Sequence, residues 1–242
     1  MEALEFIKRL YDECIRLSVN ITFNKKHPRH LYLVALYGTL IELTGCLIAL
    51  IERKLRTGVR PIFRSILDAY VELSNLHVNP EYAYYMHASY YDQWIKLLKE
   101  AKTKPNPYLK KISQSQNLDA EIEDNESDLS KLKSNGYRPL KITERFERAG
   151  MINEYRSIYN FLSNDAHSNI RALVSRHVEI HENDFSVVYY KDEPLEDFLP
   201  YVNHTAELLI AASLKIHSFF ETGAVTEVEK LEAELNEIRS RH

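Results

Sequence analysis

If residues 152–167 form a helix, four polar side chains share one ridge of it: Arg156, Asn160, Ser163 and His167, at i, i+4, i+7 and i+11. Beside them runs an apolar line of Ile152, Tyr155, Tyr159 and Leu162. A base, a hydroxyl, an amide and a guanidinium on one ridge can bind a phosphate or assist proton transfer. The competing reading is the half-solvated flank that every amphipathic helix has, and on spacing alone it is the commoner one. Arg64 and Asp68 form a second constellation, an i,i+4 pair in a nearly apolar stretch. Such a pair is either a surface ion pair worth about 0.3–0.5 kcal/mol or a buried pair kept for a purpose. The spacing leaves the two readings even. A third candidate, Arg171-x5-His177, is weak, because a gap of six residues puts side chains on different faces of a helix and a hairpin is expected to start there.

Other chemistry has no foothold in the motifs. The ten histidines include no HExxH, and there is no phosphate-cradling glycine loop and no GxSxG. No Cys/His cluster has zinc spacing. The expectation is therefore no cofactor and no metal. The aromatic run from Tyr82 to Trp94 can stack bases, but packed core aromatics are commoner.

The elements that must position these residues are helical. With 242 residues, 45% apolar and 27% charged, the composition is that of one globular domain with a single core. Six Gly and eight Pro are few for a turn-dense all-β fold. A net charge of −4 gives no global attraction to nucleic acid, so RNA binding requires a local basic patch. The start, MEALEFIKRLYDEC, is amphipathic and charged, unlike a signal peptide. Cys14 and Cys46 both sit in apolar helical patterns and read as buried free thiols, which suits a reducing cytoplasm.

Periodicity predicts helices at about 3–23, 28–56, 61–78, 81–101, 152–167, 195–220 and 225–239. The 31–51 stretch is long and apolar enough to span a bilayer, but Glu42 lies near its middle at a cost of about 2.5–3.5 kcal/mol. A central helix wrapped by others, with no membrane, is the preferred reading. Residues 102–138 lose the period and carry Pro105, Pro107, an acidic run and Asn135-Gly136, so they read as a mobile polar insertion holding at most one short helix. Residues 174–180 and 185–190 alternate like a hairpin. Val228, Leu231, Leu235 and Ile238 form a C-terminal seam suited to a partner helix, and with the apolar surplus they predict a homodimer. The expected fold is thus mainly α: a helical bundle with one small β-hairpin and a polar insertion.

Two segments resemble a family of uncharacterised bacterial helical proteins. They are RPIFRSILDAYVELSNL (60–76) and, about eighty residues later, YRSIYNFLSNDAHSN (155–169). The shared pattern is an Arg-x3-acidic helix, here Arg64 and Asp68, and a Tyr-x2-Leu-Ser-x3-His segment, here Tyr159, Leu162, Ser163 and His167. Asp68 stands where that family more often has Glu. The group is similar to the HEPN superfamily of helical bundles, many of them RNases of toxin–antitoxin and phage-defence systems that dimerise to pair two Arg-x4–6-His motifs. The resemblance implies a metal-independent endoribonuclease or RNA binder. His167 would be its catalytic acid or base, Arg64 or Arg156 would stabilise the phosphorane, and Asp68, Ser163, Asn160 and Tyr159 would orient or bind substrate. No arginine stands four to six residues before His167; Arg171-x5-His177 has that spacing. The alternative class is a non-catalytic interaction module that binds a cognate protein through its C-terminal helix.

Overall fold

The computed structural model describes residues 2–166, 169–191 and 193–241, with backbone alone at 164–166. The chain is mainly α, with a two-stranded antiparallel hairpin as its sheet among the described residues. It divides into two compact units, Met1–His77 together with Phe146–His242, and Val78–Arg145.

In the first unit, α1 (Glu2–Ser18) buries Phe6, Ile7, Leu10, Cys14 and Leu17 on one face. It stops at Ser18, short of the predicted 23, where the Ser18 hydroxyl donates to the Ile15 carbonyl at 2.7 Å. Pro28 opens α2 (Pro28–Glu52) at a position where its missing N–H is harmless. α2 buries Leu33, Tyr37, Leu40, Leu47 and Ile51 against α1 and α11 (Leu199–Phe219). The expectation that other helices would wrap α2 is corrected: Leu31, Ala35, Thr39, Glu42, Cys46 and Ala49 form an exposed stripe along it. Cys14 is buried as expected, whereas Cys46 is exposed. By length and composition alone α2 is also long and apolar enough to cross a membrane.

A polar thread ties the three helices together. Ser213 donates to the Leu209 carbonyl at 2.8 Å and accepts from the Tyr37 hydroxyl at 2.9 Å, with Cys14 Sγ at 3.3 Å. A buried hydroxyl satisfied on both sides costs the core little. α3 (Val59–Val78) adds Phe63, Ile66, Leu67 and Leu73 to the core.

The second unit corrects the expectation of at most one short helix within residues 102–138. α4 (Tyr82–Thr103) and α5 (Lys110–Ser113) lead into α6 (Leu118–Ser134), a helix of 17 residues. α6 buries Leu118, Ile122 and Leu129 against Leu98, Ala88 and Ile95 of α4. Its acidic run faces outward, where Lys102 pairs with Asp119 at 2.6 Å and Lys99 with Glu126. Three buried apolar residues in seventeen are a thin stripe, and six carboxylates hide it from a hydropathy reading. Asn135-Gly136 does turn the chain: Gly136 takes φ +89° and the Tyr137 N–H returns to the Leu132 carbonyl at 2.9 Å.

α7 (Ile142–Arg148) leads back. Then α8 (Ile152–Glu154), a π-helical turn (Tyr155–Tyr159) and α9 (Asn160–Ala166) run on without interruption. α10 (Ile170–His177) is capped by the Asn169 side chain, which accepts from the Ala172 N–H at 2.9 Å. Residues 174–177, which alternate like a strand in the sequence, are therefore helical, and the hairpin is shorter than expected. β1 (Val178–Ile180) pairs with β2 (Phe185–Val187), Val178 opposite Val187 and Ile180 opposite Phe185. α12 (Val225–Ser240) buries Val228, Leu235 and Ile238 and packs on α11 and α1. Ion pairs of Arg9 with Glu234, Arg16 with Glu227 and Arg241 with Glu2 fix it there. The C-terminal seam is thus occupied within the chain, which corrects the idea that it is free for a partner helix.

Candidate functional site

Residues four apart on a helix lie one above the other, so α3 presents Arg64 and Asp68 on one face. Neither is a surface ion pair of the ordinary kind, because both are half-buried. Tyr159, at the end of the π turn and 4% exposed, joins them. Arg64 Nη2 donates to the Tyr159 hydroxyl at 3.1 Å, and that hydroxyl donates to Asp68 Oδ2 at 3.3 Å. The guanidinium also lies 5.0 Å from the centroid of the same ring, a cation–π contact. Burial raises the Tyr159 phenol above its ordinary range, the Arg64 hydrogen bond pulls it down, and the Asp68 charge raises it again. The phenol stays protonated at neutral pH and acts as a donor to Asp68. Arg64 Nε is buried and has no acceptor among the described residues, so the guanidinium keeps a donor in reserve.

The ring is seated by aromatic packing. Phe146, fully buried, lies 4.8 Å from Tyr159 and 5.5 Å from Tyr155, and the two tyrosines stack at 5.7 Å. Phe146 and Tyr155 are not among the candidate residues of the sequence; their signal is the aromatic recurrence at 146, 155 and 159.

Of the predicted ridge of Arg156, Asn160, Ser163 and His167, the first three lie within the described residues. Arg156 and Asn160 are exposed and make no part of the Arg64 cluster, whereas Ser163, one turn beyond Tyr159, is half-buried. A π turn carries one extra residue per turn and rotates the residues before it relative to those after it. Arg156 lies inside that turn. His167 lies outside the described residues. Arg171 and His177 both belong to α10 rather than to a strand. Arg171 sits 5.9 Å from the Phe161 ring centroid, and His177 Nδ1 donates to the Val188 carbonyl at 3.1 Å.

The family assignment rests on a match over residues 30–186, which is 157 of 242 residues, to a family of unknown function, DUF5677. The chain belongs to DUF5677. No curated protein and no solved structure matches it. The DUF5677 region runs from the first turn of α2 into β2 and contains Arg64, Asp68, Tyr159, Ser163, Arg171 and His177. α11 and α12 lie beyond it, and so does α1.

Proposed function

We propose that this DUF5677 protein is a HEPN-like helical protein of bacterial defence or toxin type that binds RNA and cleaves it without a metal. The observation that carries the reading is the meeting of Arg64 and Asp68 with Tyr159. These residues come from the two sequence segments that bear the resemblance, ninety-one residues apart between Asp68 and Tyr159, and they share one hydrogen-bonded cluster. A guanidinium with a spare donor, next to a protonated phenol, suits a phosphate whose charge grows in the transition state.

In this reading Arg64 stabilises the phosphorane, and Asp68 and Tyr159 hold its guanidinium in place. His167 supplies or removes the proton, and the RNA 2′-hydroxyl is the nucleophile, so DNA is inert. Ser163 orients the histidine. The exposed positions of Arg156 and Asn160 suit contacts to flanking phosphates rather than to the reacting one. Pairing of two copies, as the resemblance implies, is supported by α10: Ile170, Leu173 and Val174 expose apolar surface beside Arg171.

The test is cleavage of a labelled single-stranded RNA by the parent chain and by His167→Ala, with melting followed in parallel. A catalytic His167 lowers the rate by about 10²–10⁴-fold at unchanged melting temperature. A parent chain without cleavage or binding of RNA, and a His167→Ala chain that is only less stable, would end the enzyme reading in favour of an interaction module.

A further inference from the structure

A separate cavity of about 120 Å³ lies between the α2–α3 turn and the end of the hairpin. Among the described residues, four permanently cationic side chains line it, Lys54, Arg56, Arg176 and Lys191, together with His177 and one carboxylate, Glu193. In a chain of net charge −4, that is a local reversal of sign. It is also the kind of basic patch an anionic ligand requires.

Bonds and ring packing pin the side chains that line the cavity. Arg56 is anchored by Nη1 to the Ile51 carbonyl at 3.3 Å and by its guanidinium at 4.9 Å from the Phe198 ring. Its Nε is buried without an acceptor among the described residues. Lys191 Nζ donates to the Ser175 and Val178 carbonyls at 3.4 and 3.3 Å, which draws the hairpin exit onto the end of α10. Two lining residues take left-handed backbone conformations, Lys54 at φ +56° and Tyr190 at φ +57°. Non-glycine residues rarely adopt that region, and where they do they cluster at ligand sites.

At about 120 Å³ the cavity has room for a phosphate group. The mouth carries an aromatic: Tyr190 lines the cavity and is 83% exposed, with Tyr189 beside it at 81%. A base stacks on an exposed ring of that kind whatever its identity. We infer that this cavity binds the phosphate group of a nucleotide, with the base outside against Tyr190. The site shares no residue with the Arg64 cluster and does not depend on the function proposed for it.

The experiment is titration calorimetry on the full chain with inorganic phosphate, AMP, adenosine, and a short single-stranded RNA with or without a 5′-phosphate. AMP is expected to bind more tightly than inorganic phosphate, and adenosine not at all. Lys54→Gly removes a charge at a position whose φ suits glycine, so the fold tolerates it. It and Lys191→Gln should each weaken AMP by about ten-fold or more, the worth of one charge-assisted hydrogen bond. Tyr190→Gly, tolerated for the same backbone reason, should weaken AMP and leave inorganic phosphate unchanged. Binding of AMP identifies a free nucleotide as the source. Binding of the 5′-phosphorylated RNA alone, lost in Lys54→Gly, identifies a strand end. The inference is overturned if neither AMP nor the phosphorylated RNA binds. It also falls if the folded Lys54→Gly/Lys191→Gln chain binds as the parent does, or if Arg64→Lys abolishes AMP binding without unfolding the chain.

Discussion

Replacing Tyr159 by Phe removes one oxygen from the centre of the candidate site and little else. The ring keeps its place on Phe146 and Tyr155 and its cation–π contact with Arg64. Two hydrogen bonds disappear, the 3.1 Å bond from Arg64 and the 3.3 Å bond to Asp68. Bonds to charged groups are worth about 1.5–3 kcal/mol each, but the second is long and both partners are half-buried, so water replaces part of each. The expected cost is therefore about 1–3 kcal/mol in total. For a chain of this length that is about 2–4 °C of melting temperature per kcal/mol. Urea unfolding of the parent, Tyr159→Phe, Asp68→Ala and the double variant closes a cycle. Because the two residues share a bond, the double variant should lose less than the sum, with a coupling of about 0.5–3 kcal/mol. Additive losses, or a Tyr159→Phe chain as stable as the parent, would refute the cluster as a cooperative unit. If Arg64 contacts RNA, the same variant should also slow cleavage beyond what its unfolded fraction accounts for.

Two further expectations come from burial. His217 is fully buried, with Nδ1 bonded to the Thr222 hydroxyl at 2.8 Å, the Tyr37 ring centroid at 6.0 Å and no partner for Nε2 among the described residues, and burial lowers its pKa against a smaller upward pull from Glu227. His77 and His30 are lowered too, first by burial, with Lys215 and Arg29 adding to it for His77 and His27 and Arg29 for His30. The unfolded chain then binds more protons than the folded one below about pH 6.5, so stability should fall as pH drops from 7.5 to 5.5. An equal or higher urea midpoint at pH 5.5 would contradict this. In the second unit, Ile122→Ala should cost about 2 kcal/mol and make 78–145 more sensitive to protease, because Ile122 packs on Leu98; unchanged resistance would show that α6 does not depend on that contact.

The main helices are legible because their apolar residues recur at helical spacing and are bounded by Pro and Gly. Pro28 and Pro61 stand at the openings of α2 and α3, and the long apolar run of α11 is the centre of its unit. Surface chemistry misleads when it is read as structure. The carboxylates of α6 mask Leu118, Ile122 and Leu129, although a stripe of that width is enough when the partner, α4, offers Leu98 and Ile95. The apolar circumference of α2 suggests full burial, yet a helix packed on one side leaves a face outside whatever its composition, and Cys46 lies there. The seam of α12 is a packing surface, as its period implies, but its partners are α1 and α11 of the same chain.

The site is legible in pairs and not as a whole. Arg64 with Asp68 comes from spacing alone, since α3 is regular. Periodicity places Tyr159 on the apolar line of its helix, which is right for its ring and silent about its hydroxyl. Ring and hydroxyl have different needs: the ring is buried against Phe146, and the buried hydroxyl then has to find partners, which only a second helix can supply. Long-range complementarity of that sort has no local signature, so the link from Tyr159 to Asp68 is beyond periodicity. A π turn also interrupts the helix that carries the polar ridge. It spans Tyr155–Tyr159, so residues before it are out of α-helical phase with residues after it. Such turns are rare and gather at functional positions, because the energy of a widened turn is recovered only where the displaced side chain makes contacts a regular helix would miss. Here the side chain at its end is Tyr159, and the contacts are Arg64 and Asp68. The departure from regular spacing and the candidate site therefore meet at Tyr159.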